Sequence, residues 1–271
     1  MRAWLWVALV AVPASAQDVV DIVRRSVERD ALNFERFRDY TFEETTAQTR
    51  YDKQGRVTST DRQTFEVLML AGQPYSRLIA RDGKPLPARE AQKELEKVDK
   101  ELRSRLKNPA RTRQRYAQER AEGRRFFREI PDAFNFTLLG EETLDGLPVW
   151  KIRAEPRPGY RPRERRAGVF QKLRATIWID HAGYQWVKAE VQVIEAISWG
   201  FFVLRIPPGA TIAFSQMRVN DEVWLPKEAR IRADARLGLL KTFRVGLDIA
   251  YRNYRKFQSE SQVVGVEEIR Q

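Results

Sequence analysis

Few residues of this chain have the types and spacing that enzyme chemistry requires. The chain has one histidine, His181, no cysteine and no close Asp/Glu/His group that could hold a metal ion. His181 lies in a turn, which favours an exposed turn residue over a general base. Ser198 and Ser215 lack a Gly-x-Ser-x-Gly setting, and Glu195 is typical of an outward position at a strand bend rather than of a perturbed carboxylate. We therefore expect no catalytic residue, no metal and no cofactor.

Basic residues are the second chemical feature. The formal net charge is +12, and residues 103–128 hold ten basic side chains against two glutamates, while residues 153–174 hold eight against two. Such stretches could contact nucleic acid, anionic lipid head groups or only solvent. Because the chain is predicted to be exported, we expect no nucleic acid partner. The candidate contacts with an anionic surface are Arg111, Arg113, Arg115, Arg163, Arg165 and Arg166.

The N-terminal segment predicts export. Arg2 precedes a ten-residue apolar run, Ala3 to Val12, which is too short to span a bilayer, and Ala14-Ser15-Ala16 is a small-x-small cleavage site. We interpret residues 1–16 as a signal peptide of a periplasmic protein, with a buried N-terminal helix as the alternative. The chain has no cysteine, so neither a lipid-anchored mature end nor a disulfide is expected. Residues 17–271 are expected to form a single domain.

A clear strand pattern lies at Leu173 to Val193. Its two halves alternate apolar and polar residues and meet at His181-Ala182-Gly183, which is typical of a β-hairpin with one buried face. We expect Ile177 opposite Val187 on the inner side and Trp178 opposite Trp186 on the outer side. We also expect this hairpin at the centre of a large antiparallel sheet.

The remaining segments predict a mainly β protein with helices. Residues 17–37 have helical apolar spacing, residues 87–128 form a long charged helical insertion broken at Pro109, and residues 156–168 are Arg- and Pro-rich and predict a mobile loop. About eleven strands joined by short turns should form a curled antiparallel sheet or half-open β-barrel, because open sheets of this size rarely stay flat. The N-terminal helix and the charged segment are expected to cover it.

A curled sheet with an apolar inner face needs either its own helix or an apolar ligand to fill it. Alanine rows on the inner face leave room for a ligand, although packing by the N-terminal helix is an equal alternative. From alternation alone, the expected ligand-lining residues are Ala175, Ile177, Ile179, Val187, Ala189, Val191, Ile231, Ala233, Val245 and Leu247.

Several segments resemble the outer-membrane lipoprotein-sorting family. The similarity lies in the opening Tyr40-Thr41-Phe42-Glu43-Glu44, in Leu147 to Ile152, in Ala175 to Asp180, and in Trp224-Leu225-Pro226 with the two long strands ending at Phe257. It implies a half-open barrel closed by helices, with a hydrophobic cavity that shelters acyl chains of lipoproteins or lipids in the periplasm. The charged segment from Pro87 to Arg128 and the Arg-rich loop depart from a compact carrier.

These observations lead to two functional expectations. The first is a non-catalytic periplasmic binding or carrier protein, which holds lipid or lipoprotein acyl chains and approaches anionic membrane surfaces through its basic segments. The second is an envelope sensor or interaction module of the same fold, in which a partner protein docks on the basic helix. The sequence offers no constellation that favours an enzyme.

Overall fold

The computed structural model describes residues 16–52, 54–199, 204–237 and 241–256. Apart from Ala16, the predicted signal segment lies outside this part of the chain. The predicted N-terminal helix and charged helices are present with nearly the expected bounds. The helices are α1 (Ala16–Phe37), α2 (Ala88–Lys107), α3 (Pro109–Arg128), α4 (Ile130–Ala133) and a 3-10 helix (Arg165–Lys172).

All strand pairs are antiparallel, and the strands form one large sheet with the order β4-β3-β2-β1-β13-β12-β11-β8-β7-β6-β5. These eleven strands form an unclosed path, which confirms the mainly β, curled half-barrel class. Two short strands, β9 and β10, lie off this path. The strands are β1 (Tyr40–Tyr51), β2 (Val57–Leu70), β3 (Gln73–Arg81), β4 (Lys84–Pro85), β5 (Phe134–Leu144), β6 (Leu147–Pro156), β7 (Leu173–Asp180), β8 (Trp186–Val193), β9 (Ile197–Trp199), β10 (Leu204–Ile206), β11 (Thr211–Val219), β12 (Val223–Leu237) and β13 (Lys241–Lys256).

The hairpin β7–β8 is present, but its position and register differ from the prediction. It lies towards the β5 edge, and the middle of the sheet is formed by β12 and β13. Ile177 pairs with Ala189 rather than with Val187, and Ile179 pairs with Trp186. Val187 is therefore an extra residue in a β-bulge. Compared with a regular strand, one extra residue in a bulge moves the side chains before it to the opposite face of the sheet.

The bulge moves two side chains to unexpected faces. Trp186 was predicted to point outward, but it packs beside α1 and donates its indole N–H to the hydroxyl of Ser26. Val187 was predicted on the inner face, but it packs with Val149 and Trp178 in a separate cluster. We call the face that α1 covers the concave face and the opposite face the convex face. Val187 therefore lies on the convex face, which corrects its assignment as a lining residue.

Helix α1 is fixed to the sheet in two ways. Its first turns bury Val19, Val23 and Val27 in the main core with residues of β5 to β8. Its last turns add polar contacts. The backbone N–H of Trp224 donates to the amide oxygen of Asn33 at 2.8 Å, while the Asn33 amide donates to the carbonyl of Trp224. Helix α1 is thus fixed by apolar burial together with specific hydrogen bonds.

The charged segment is weakly packed, as expected. Helix α2 places Val98 against Leu68 and Leu70 of β2, and Arg105 bonds to backbone carbonyls at the tip of the β2–β3 hairpin. Helix α3 has no buried residue. None of the helices in the described ranges is both long enough and apolar enough to cross a membrane.

The segment 156–168, predicted as a mobile loop, is anchored by hydrogen bonds and leads into the 3-10 helix. The buried carboxylate of Glu129 accepts hydrogen bonds from the Tyr160 hydroxyl and from the backbone N–H groups of Arg163, at 2.9 Å, and Glu164, at 2.6 Å. The 3-10 helix then buries Ala167 and Phe170 in the main core. One buried acid therefore anchors a segment whose composition is typical of a loop.

Candidate functional site

The sheet register aligns an apolar row on the concave face. Ala175 of β7 pairs with Val191 of β8, which pairs with Ile212 of β11, and the row continues through Ile231 of β12 to Leu247 of β13. Directly paired residues of an antiparallel sheet point to the same face. One apolar surface therefore crosses five strands before it reaches polar Gln48 on β1.

Burial divides this concave face into two halves. In the covered half, formed by β5 to β8, α1 and its neighbours bury the side chains, and Ile152 and Ile179 have no exposed area. In the open half, the apolar side chains stay partly exposed, and Ile212 retains 40% of its accessible surface. We define the open half by the concave residues of β11 to β13, namely Ile212, Phe214, Ala229, Ile231, Ala233, Val245, Leu247 and Ile249.

The predicted lining residues fall into three groups. Ala175, Ile177, Ile179 and Ala189 lie in the covered half, where α1 packs on or beside them. Val187 lies on the convex face, as described above. The remaining five are partly exposed, at the border of the halves or within the open half: Val191, Ile231, Ala233, Val245 and Leu247. The structure therefore brings five predicted lining residues together on an accessible surface.

Sequence reasoning missed the contribution of β11. Ile212 and Phe214 alternate correctly, but the next residue in the series is Gln216, which interrupts the apolar pattern. In the structure Gln216 is buried and accepts a hydrogen bond from Gln185 at 3.2 Å. Because Gln216 interrupts the apolar pattern, the sequence did not indicate that β11 contributes to the site.

The two ends of the open half differ in chemistry. At one end, a cavity of about 270 Å³ is lined by Ala210, Ala233 and Val245 together with charged residues of the sheet end. At the other end, five aromatic rings are linked by contacts of 5.2–6.4 Å between ring centroids. This aromatic cluster consists of Phe37, Tyr40, Phe42, Tyr251 and Tyr254.

The predicted basic contacts lie in two separate groups. Arg111, Arg113 and Arg115 are exposed on the first turns of α3, while Arg163, Arg165 and Arg166 are exposed near the 3-10 helix. The far end of α3 reaches the second group through the pairs Arg125–Glu164, at 2.5 Å, and Arg166–Glu122, at 3.8 Å. Because α3 rises about 1.5 Å per residue, the two groups are separated by roughly 15 Å. They form an extended basic surface rather than one cluster.

A second concavity adjoins the anchored segment. It has a volume of about 300 Å³ and is lined by Glu129, Asp132, Arg157, Arg161 and Arg163 among others. Burial alone would raise the pKa of Glu129, but the hydrogen bonds from Tyr160 and from two backbone N–H groups hold it below its usual value. Arg163 pairs with Asp132 at 3.2 Å. Glu129 is therefore an ionised carboxylate that anchors the segment through its hydrogen bonds.

The candidate catalytic residues have structural environments. His181 is partly buried rather than exposed, and its ring stacks on Trp150 at 4.1 Å between centroids. Glu195 is exposed at the bend after β8, as predicted. Among the described residues, no group of His, Asp and Glu side chains is suited to hold a metal ion. The expectation of a non-catalytic protein stays a prediction.

Comparison with solved structures finds matches over most of the chain. A domain described as an outer membrane lipoprotein-sorting protein, from Vibrio parahaemolyticus, is 11% identical over 92% of this chain and 97% of its own, with a TM-score of 0.32. A DUF1329 family protein from Desulfovibrio piger is 11% identical over 91% of this chain and 97% of its own, with a TM-score of 0.34. A LolA superfamily protein from Nitrosomonas europaea is 9% identical over 93% of this chain and 98% of its own, with a TM-score of 0.29.

Structures described as lipoprotein-sorting or LolA superfamily proteins, the family that the sequence resembles, are among these matches. No family model and no curated protein matches the chain. Similarity at these identities and TM-scores is too low to transfer a ligand or a partner. The function of this chain must therefore be argued from its own open half.

Proposed function

We propose that this protein is a periplasmic binding or carrier protein that holds the acyl chain of a lipid or lipoprotein on the open half of its concave face. The observation that supports this is the row Ile212–Ile231–Leu247, which is apolar, continuous across three strands and partly exposed. Contiguous exposed apolar surface on a protein marks a binding site more often than chance. The apolar signal segment supports export, and cleavage after Ala16 is part of the proposal.

The test places a charge in the middle of this surface. Ile212→Asp puts a carboxylate where an acyl chain would lie, and its cost to folding should be smaller than at a fully buried position because Ile212 is 40% exposed. We expect at least tenfold weaker binding of a fluorescent fatty acid, because a charge would have to be desolvated next to the chain. The measurement is a fluorescence titration of the mature protein.

The matched control is Thr211→Asp. Thr211 is the preceding residue of β11, is exposed, and points to the convex face. This variant carries the same new charge and should bind the fatty acid as the unaltered protein does. Equal loss of binding in the two variants, or no binding by the unaltered protein, would contradict the proposal.

The basic surface supports an additional role in approaching anionic head groups. Arg111, Arg113 and Arg115 are exposed, and the only ion pair among the described contacts of these three joins Arg115 to Glu119 at 3.9 Å. A charged patch of this kind attracts anionic lipid surfaces in a salt-dependent way. Charge reversal at the three arginines should therefore weaken binding to anionic vesicles without changing fatty-acid affinity.

A second candidate function is an envelope sensor or interaction module. The observation that favours it is that α3 is a twenty-residue helix with no buried residue. Here a partner protein, rather than lipid, would cover α3. Retention of a partner in a pull-down that the same charge reversal abolishes, with no lipid in the purified protein, would favour this second function over carriage.

A further inference from the structure

One ionisable side chain at the aromatic end of the concave face has unusual surroundings. Glu44 of β1 lies directly between Tyr251 of β13 and Phe65 of β2, and all three point to the concave face. Its side chain is partly buried, and this burial raises the pKa of its carboxyl group. Within the described ranges, the Glu44 carboxylate has no hydrogen bond and no ion pair.

The acidic residues of the convex face have different surroundings. Glu43, the preceding residue, lies opposite Arg252 on β13. Glu66 on β2 forms an ion pair with Arg77. Burial of a carboxylate costs free energy unless a cationic or hydrogen-bonding partner offsets it. Glu44 therefore stands out as a negative charge whose partner the described part of the chain does not supply.

Aromatic residues flank this charge on both neighbouring strands. Tyr251 is 6.0 Å from Phe42 between ring centroids, and Phe42 contacts Tyr254 at 5.2 Å. Burial, with a contribution from the charge of Glu44, raises the pKa of Tyr251 to about 12, so this phenol is neutral at neutral pH. One carboxylate beside the faces or edges of several aromatic rings is the chemistry that recognises an ammonium group, through charge attraction and cation–π contact.

We propose that Glu44, with Tyr251 and Phe65, binds the ammonium group of an amphiphile whose apolar chain lies on the open half. This inference rests on the proposed function. Ile249 lies two residues before Tyr251 on the same face of β13 and pairs with Thr46, two residues after Glu44. The row then runs through Ala229 to Phe214, three strand spacings or roughly 14 Å from β1. A chain anchored at Glu44 would thus meet continuous apolar surface.

The experiment compares three ligands with the same ten-carbon chain: decylamine, decanol and decanoate. Isothermal titration calorimetry of the mature protein, below the concentrations at which these compounds aggregate, gives their affinities. We expect decylamine to bind about tenfold tighter than decanol and decanoate to bind more weakly than decanol. The chain is strongly basic, with a net charge of +12 before residues 1–16 with Arg2 are removed, and this charge would by itself favour the anion. A preference for the cation must therefore arise locally.

Substitutions test whether the preference for decylamine over decanol arises at Glu44. Glu44→Gln should reduce decylamine affinity to that of decanol and leave decanol affinity unchanged. Glu43→Gln removes the same charge from the adjacent residue on the convex face and should retain the preference. Phe65→Leu keeps an apolar side chain but removes a ring, and it should weaken decyltrimethylammonium more than decanol, which tests the site independently if Glu44→Gln does not fold.

The outcomes separate this inference from the proposed function. Equal affinities for the three ligands, or a preference that persists in Glu44→Gln, would overturn the ammonium site and leave acyl-chain binding intact. Absence of binding for every ten-carbon ligand would overturn the proposed function and the ammonium site with it.

Discussion

The covered half and the open half of the concave face arise from the same alternation of apolar and polar residues, but only one of them is a core. In the covered half, Val19 and Val23 of α1 fill the space above Ile152 and Ile179, and all four have at most 2% exposure. In the open half, residues with the same pattern, such as Ile231 and Leu247, stay partly exposed. Alternation thus identifies the apolar face, whereas the length and position of the covering helix decide which part can bind a ligand.

The largest difference between the halves is expected in stability. Ile152→Ala removes three carbons from a fully buried site and should lower the free energy of unfolding by about 3–4 kcal/mol. The same substitution at Ile231, which is partly exposed, should cost about 1 kcal/mol because less contact area is lost. Urea unfolding followed by circular dichroism measures both. Equal losses would show that the open half is packed as tightly as the covered half.

The sequence predicted the helices and most strands because their signals are local. Helix α1 has apolar residues at helical spacing, and the hairpin β5–β6 has turn residues between two alternating segments. The predicted register of β7–β8 was wrong because the bulge at Val187 adds one residue to β8. The sequence still alternates apolar and polar residues through the bulge, so the pattern does not reveal it. Trp186 contacts Ser26 on α1, and the two residues are 160 positions apart, so this contact leaves no local signal in the sequence.

Two other features of the site depended on long-range contacts. The segment 156–168 has loop composition, but it is held by Glu129, a residue in the turn after α3. Gln216 interrupts the pattern of β11 because its amide pairs with Gln185 beneath α1. Buried polar residues satisfied by distant partners leave no periodic signal in the sequence. The open half was therefore predicted only in part.

The border between the two halves should respond to pH through Asp30. This carboxylate of α1 accepts a hydrogen bond from Gln185 at 3.4 Å, and burial raises its pKa although the hydrogen bonds oppose that effect. Its contribution to stability is present below the unfolded-state value of 3.8 and is lost as the pH rises through the folded-state pKa. At neutral pH, Asp30→Asn should therefore match or exceed the stability of the unaltered protein.

This advantage of Asp30→Asn should shrink as the pH falls towards 3.8, because protonation then removes the charge from the folded protein. Thermal unfolding of both proteins at several pH values gives the difference. An advantage that grows towards acid would show that Asp30 is stabilised as an anion. In that case, α1 would be held at this border by charge rather than by neutral hydrogen bonds.

A sharp distinction between the halves is expected from enlarging one alanine in each, and one of the two substitutions, Ala233→Leu, should have the smallest effect on stability. Ala189 is 8% exposed beneath α1, so Ala189→Leu should overpack the covered half and cost about 1–3 kcal/mol. Ala233 lines the cavity of about 270 Å³, so Ala233→Leu has space for its side chain and should change stability by less than about 0.5 kcal/mol.

Acyl-chain affinity should show the opposite order, with a severalfold loss for Ala233→Leu, because the new side chain occupies surface that the ligand would cover. Urea unfolding of both variants measures the loss of stability, and the fluorescent fatty-acid titration measures the loss of affinity. If Ala233→Leu were instead the more destabilising substitution, the cavity would already be filled by the chain itself, and the open half would be a second core rather than a binding surface.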